Sequence, residues 1–221
     1  MLKKRRQNNF TSRNRRRLLS KQKIKDIVFS PARFIFDHKT VNSFGLTSLR
    51  DERIDFCIKY CQGKVLDIGC GEGNELIRRY KNGVGVDVYM WPGIDVLCDT
   101  ANLCFKDKVF DTVTLVASLG HIPNRLEVLK EAYRVLKDNG RILATTLDPI
   151  FGWLRHKLAW WDKDQTLRGI GVGEVLGLWS SEVKKLFILA GFNFERKIPF
   201  ACSINSLYLG KKLTKREIGD K

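Results

Sequence analysis

The chain of 221 residues, with 43% hydrophobic and 10% aromatic residues, has the length and composition of one globular domain of ordinary size with a genuine core. It contains no apolar run of the roughly 18–20 residues needed to span a bilayer. Its net charge of +16 is concentrated at the start: residues 1–25 hold eleven basic side chains and no acidic one, which leaves 29 Lys and Arg against 24 Asp and Glu in residues 26–221, a net +5.

Taken in chain order, residues 1–25 repel one another and offer little to bury, so they read as a disordered basic tail. Such a tail is either a plain solvated extension or a contact for a polyanion, RNA phosphate or an anionic membrane surface. It also shares the Arg-rich, acid-poor character of organellar transit peptides. No secretory apolar stretch follows Lys3–Arg6, so the expected location is cytoplasmic, with peripheral contact at a membrane surface left open. Residues 26–62 read as an N-terminal helical segment. Ile24–Phe36 is an apolar segment at its start, and Ile54, Cys57, Ile58 and Cys61 recur at helical spacing up to a stop at Gly63.

From Lys64 onward strands and helices alternate. Strands are expected at Lys64–Ile68, Val84–Val88, Ile94–Leu97, Phe110–Val116 and Arg141–Leu147, and helices at Asn74–Tyr80 and Arg125–Lys137, the latter closed by Asn139-Gly140. Asp148-Pro149 reads as the end of the fifth strand. An irregular aromatic insert then runs over residues 150–179, before a helix capped by Ser180 or Ser181 and two final strands, Phe192–Phe200 and Cys202–Leu209. The alternation predicts a doubly wound, Rossmann-like, mostly parallel sheet over residues 63–210, followed by a short basic tail at 211–221.

The six cysteines include no Cys-x-x-Cys and the three histidines are scattered, so free thiols are expected and no metal site.

The most informative stretch is Val65-Leu66-Asp67-Ile68-Gly69-Cys70-Gly71-Glu72-Gly73-Asn74, a buried strand running through glycines into a helix. Such a turn lets the backbone approach a ligand while helix N–H groups face it. A dinucleotide site uses G-x-G-x-x-G at the same junction. Here the third glycine arrives one residue early, and Asp67 precedes the loop. A carboxylate repels a pyrophosphate and attracts an ammonium or a sulfonium, so the sign of Asp67 favours the methyl donor S-adenosylmethionine over NAD.

At this point the chain resembles the class I S-adenosylmethionine-dependent methyltransferases, in the broad branch of quinone, small-molecule and cell-envelope enzymes. VLDIGCGEGN is similar to the family's first motif, GVGVD at Gly83–Asp87 to the second, and CDTANLCF at Cys98–Phe105 to a D-x-x-x-L-P-F block in which Cys104 replaces proline. FDTVTLVASLGHIPN and YRVLKDNGRIL resemble the later motifs. The resemblance implies the seven-stranded family fold and a donor site made of Asp67, Gly69, Cys70, Gly71, Gly73, Asp87, Val88, Asp99, Thr100 and Ala117. In that site Asp87 would take the ribose hydroxyls, since one carboxylate can accept from both members of a vicinal diol, and Asp99 the adenine amino group.

The implied reaction is methyl transfer to a small or envelope-precursor acceptor, at oxygen or carbon. His121, just beyond the fourth strand, is the candidate base, and the alternative is a histidine that packs or bonds backbone. The insert supplies acceptor-side candidates in His156, Trp161, Asp162 and Asp164, weighed against tryptophans that merely pack on the sheet. After the fourth strand Ala117-Ser118-Leu119-Gly120 lacks the N/D-P-P-aromatic signature of amino-methylating enzymes, and no Pro-Cys or Thr-Cys-Thr nucleophile occurs. Three other functions compete: an RNA methyltransferase gripping substrate with its basic tail, a catalytically silent cofactor-binding module, and a dinucleotide oxidoreductase. The sequence leaves the oligomeric state open.

Overall fold

The computed structural model describes residues 21–158 and 172–213. The chain divides into two compact units, Met1–Glu52 and Arg53–Lys221. In the first, helix α1 covers residues 21–28, α2 Ser30–Ile35 and α3 His38–Ser43. Asp37 caps α3 by accepting from the N–H groups of Lys39 (2.9 Å) and Thr40 (3.1 Å). Helix α4, Leu49–Ile58, begins in this unit with Asp51 and Glu52 in its first turn, where acidic groups complement the helix dipole. It ends five residues before Gly63, the expected stop.

The second unit is a seven-stranded sheet in the order β3-β2-β1-β4-β5-β7-β6. Its strands are β1 Val65–Ile68, β2 Gly83–Asp87, β3 Val96–Leu97, β4 Phe110–Val116, β5 Leu136–Leu147, β6 Phe192–Phe200 and β7 Asn205–Lys212. The first five run parallel, and β7 pairs antiparallel with both β5 and β6. This is the mostly parallel, doubly wound arrangement that the alternation of elements predicts. Helices α5 Glu75–Tyr80, α6 Arg125–Val135, α7 Pro149–Leu158 and α8 Ser180–Leu189 connect the strands. The central strands are covered on both faces, so Leu66, Ile68, Val113, Leu115, Ile142 and Ala144 are fully buried. Each Leu, Ile or Val removed from water in this way contributes about 1.5–3 kcal/mol.

Four local expectations need correction. Asp148-Pro149 starts a helix instead of merely ending a strand. Ile150 N–H donates to Asp148 Oδ1 (3.1 Å) and Gly152 N–H to the Asp148 carbonyl (2.8 Å), while Pro149 stands where its missing N–H costs nothing. The first third of the insert is therefore α7. Helix α8 starts one residue earlier than its serines suggest: Trp179 is the cap position, and its N–H donates to Glu182 (2.8 Å). Helix α6 stops at Val135, and β5 already pairs at Leu136 with Phe110 before its register jumps to Arg141 with Thr112. The last strand begins at Asn205, because Ala201, Cys202 and Ser203 all adopt positive φ in a tight connection closed by Ile204 N–H to the Ala201 carbonyl (3.1 Å).

Candidate functional site

Parallel strands leave ligands their carboxyl edge, and here that edge is built from two differently constructed halves. The first half is backbone. Gly69, Gly71 and Gly73 all have positive φ, and a Cβ at Gly69 would meet Ser118 Cβ at 2.5 Å. Glycine is thus required at 69 by both conformation and space. Ser118 is itself fixed by donating to the Ile68 carbonyl (2.7 Å), which ties the ends of β1 and β4 together. Gly69 and Cys70 N–H groups donate to the Val86 carbonyl, and Gly73 N–H donates to Pro92 (2.9 Å). Behind the loop, Asn74 donates to Asp95 Oδ2 (2.7 Å), an oxygen that also accepts from Gly85 N–H (2.7 Å).

Asp87, at the tip of β2, is buried. Its Oδ2 accepts from Gly71 N–H and its Oδ1 from Tyr89 N–H, both at 3.0 Å. These two bonds orient the carboxylate and leave a lone pair on each oxygen. Asp67 lies wholly inside β1 and accepts from the Thr114 hydroxyl at 2.6 Å. Burial, chiefly, and the nearby Asp87 charge push its carboxyl up to about 7, against the Thr114 bond, which lowers it. Burial likewise pushes the Cys70 thiol well above its ordinary range.

Beside Asp87 a cavity of about 380 Å³ is lined by Val88, Leu97, Cys98 and Asp99. Asp99 accepts from Ala101 N–H (2.9 Å), and the next residue, Thr100, is buried. The chain after this cavity is fastened from α6: Glu131 accepts from Leu103 N–H (2.8 Å), and Arg134 donates to the carbonyls of Leu103 (2.9 Å) and Phe105 (2.8 Å).

The second half is made of side chains on segments distant in sequence. Ala117 follows β4 with φ 59°, its N–H donating to the Thr145 carbonyl (3.1 Å). A short 3₁₀ turn, Leu119–His121, then carries His121, whose Nδ1 lies 3.2 Å from Glu174 Oε2. The imidazole is 41% exposed and the carboxylate only 9%. Arg125 locks this pairing from the side by donating to the carbonyls of Leu119 (3.0 Å), Gly120 (3.0 Å) and Gly173 (2.8 Å). Val175 N–H donates back to Gly120 (2.9 Å), where a Cβ would stand 2.6 Å from the Val175 carbonyl.

The structure therefore brings Gly69, Cys70, Gly71, Gly73, Asp87, Val88 and Asp99 to the carboxyl ends of β1–β3, with Asp67 beneath them in β1 and Ala117 at the neighbouring end of β4. His156 belongs to α7, but its side chain lies outside the described residues, as do Trp161, Asp162 and Asp164. Sequence reasoning missed Glu174 and Arg125. No spacing rule links position 174 to position 121, and only the folded contact reveals it. Among the described residues no group of three His, Cys, Asp or Glu side chains could hold a metal ion, and all six cysteines are free thiols.

A glycine loop between β1 and α5, an acidic residue closing β2 and a reversed seventh strand together define the class I methyltransferase architecture. The chain belongs to this family: residues 5–195 match the family model described as a methyltransferase domain. The demethylmenaquinone methyltransferase of Staphylococcus epidermidis is 28% identical over 152 residues, which cover 55% of this chain and 56% of that protein. The ubiquinone biosynthesis O-methyltransferase of Pseudomonas entomophila is 28% identical over 121 residues, covering 47% and 52%. The chain thus spans about half the length of these relatives. Among solved structures, a SAM-dependent methyltransferase of Thermotoga maritima superposes with a TM-score of 0.59 at 20% identity, covering 74% of this chain and 89% of that one.

Proposed function

We propose that this chain transfers a methyl group from S-adenosylmethionine to a small acceptor at oxygen, with His121 as the base. The observation that carries the reading is the convergence of the glycine loop, the oriented Asp87 carboxylate and the Asp99-bearing cavity on one sheet edge. The quinone methyltransferase relatives support a small-molecule acceptor, and the ubiquinone biosynthesis O-methyltransferase of Pseudomonas entomophila supports oxygen.

The residues fit the donor in charge and shape. Val88 and Leu97 offer apolar walls for a flat base, and Asp99 an acceptor for its amino group. Asp87 keeps two lone pairs for a ribose diol. The glycine loop admits a backbone approach to the amino-acid part, and Asp67 places a carboxyl beneath it. When bound, S-adenosylmethionine supplies an electrophilic methyl group on a sulfonium sulfur.

The chain's own work is alignment and proton management. In the neutral His121 tautomer that donates Nδ1–H to Glu174 across the 3.2 Å contact, Nε2 carries the lone pair. That nitrogen would take the proton of the acceptor hydroxyl, the bound donor supplying the methyl group that the oxygen gains. Glu174 is a positioning residue, which holds the tautomer and stabilises the imidazolium.

Calorimetric titration with S-adenosylmethionine, S-adenosylhomocysteine and NAD tests the donor assignment. Binding of the two sulfur compounds without NAD is the expected result. NAD binding alone would overturn it.

A further inference from the structure

We propose that the N-terminal helix pair is a membrane-interfacial face that lays this chain on an anionic lipid surface. The proposal is independent of the methyl-transfer reading.

Helices α1 and α2 follow one another almost without a break. Phe29 N–H donates to the Lys25 carbonyl (2.9 Å) and Arg33 N–H to the Phe29 carbonyl (3.0 Å). Pro31 accounts for the brief irregularity between them, because it has no N–H to offer the Ile27 carbonyl. Within this unit the pair buries Phe34 together with two charged residues, Asp26 and Arg33. Arg33 is buried and donates to the carbonyls of Thr47 (2.6 Å) and Asp26 (2.9 Å) and to Glu52. Asp26 Oδ1 accepts from Thr47 N–H (2.9 Å) and from Gln22 (3.2 Å).

The outward side is apolar. Ile24, Ile27, Val28 and Ile35 are 61%, 61%, 65% and 38% exposed, with exposed Pro31 among them. Positions 24, 27, 28, 31 and 35 recur at the spacing of one helical stripe. A helix of a water-soluble domain presents the opposite polarity, so this stripe calls for an apolar partner.

Charge selects the partner. Lys21, Lys23 and Lys25 are exposed on the same helix, and eight more basic residues with no acidic one precede them in the sequence. RNA would answer the charge and leave the stripe in water. A second copy would cover the stripe while bringing two clusters of eleven positive charges together. An anionic bilayer surface satisfies both, with headgroups at the lysines and arginines and the stripe sunk to the acyl boundary.

The test is sedimentation of the full chain with vesicles of phosphatidylcholine alone or with phosphatidylglycerol added. The wild-type chain is expected to pellet with the anionic vesicles, less so as salt rises, and to stay behind with the neutral ones. The uncharged double substitution Ile27→Asn and Val28→Asn should lower partitioning about tenfold or more, with circular dichroism and S-adenosylmethionine titration unchanged. Ile24→Asn provides the same readout should the double variant lose its native spectrum. Undiminished anionic binding by either folded variant would overturn the proposal, because the charges alone would then suffice. Equal binding to neutral vesicles would overturn it too, as would a wild-type dimer that the substitutions dissociate or an RNA complex that they weaken in place of vesicle binding.

Discussion

The two halves of the carboxyl edge are built by opposite means. On the β1–β2–β3 side the shape comes from main chain: positive-φ glycines, and N–H groups that fix carboxylates, Gly71 and Tyr89 for Asp87 and Ala101 for Asp99. On the β4–β5 side it comes from side chains that meet across long sequence separations, as His121 meets Glu174 over 53 positions. The first kind of site tolerates almost no change of residue at its turns. The second depends on whether distant segments stay docked.

The contrast can be broken from either side. The largest effect is expected at His121: His121→Ala should lower kcat about 10²- to 10⁴-fold while calorimetry finds donor affinity unchanged. Glu174→Gln should reproduce a smaller part of that loss and move the pH profile of kcat, a result that a purely structural role for Glu174 would not give. A fall in donor affinity for either variant would mean that the halves are not separable.

Next comes Gly69→Ala, which adds about 1–3 kcal/mol of backbone strain besides the clash with Ser118. Thermal unfolding and titration should register lower stability and weaker donor binding together. Asp87→Ala removes an acceptor from two backbone N–H groups, each such charged bond being worth about 1.5–3 kcal/mol. It should weaken donor binding about tenfold or more with the acceptor's apparent affinity preserved.

The last effect, seen only in the pH dependence of stability, concerns Asp67. Its folded carboxyl titrates near 7, against 3.8 when unperturbed, so the native state keeps a proton that the unfolded chain has lost between those values. Stability of the donor-free chain should therefore fall as pH rises across that window, by up to about 1.4 kcal/mol per unit, and level off above it. Asp67→Asn should flatten that slope in urea titrations. An unchanged slope would place its origin elsewhere.

This same contrast explains what the sequence discloses. Gly69, Gly71 and Gly73 are legible because positive φ restricts which residues can stand there, Asp87 because GVGVD resembles a family motif, and parallel strands buried on both faces leave continuous apolar runs such as Phe110–Val116. Glu174 and Arg125 are illegible because a carboxylate in a loop and a guanidinium at a helix start look alike whether they meet a partner or water. Asp148-Pro149 misleads for a different reason: the dipeptide that terminates a strand is also a good helix start, and only the following hydrogen bonds decide. The insert's aromatic character obscures the ordinary helical spacing of Ile150, Trp153 and Leu154 in α7.

The sheet order also has a consequence for how copies of this chain meet. One margin is β3, only two residues long, and the other is β6, which exposes Glu195, Arg196 and Lys197 and carries Pro199. A foreign strand would find too few free amides on the first and a charged, proline-interrupted rim on the second. Strand addition is thereby discouraged at both ends, and the sheet can stay apart from its neighbours even when crowded.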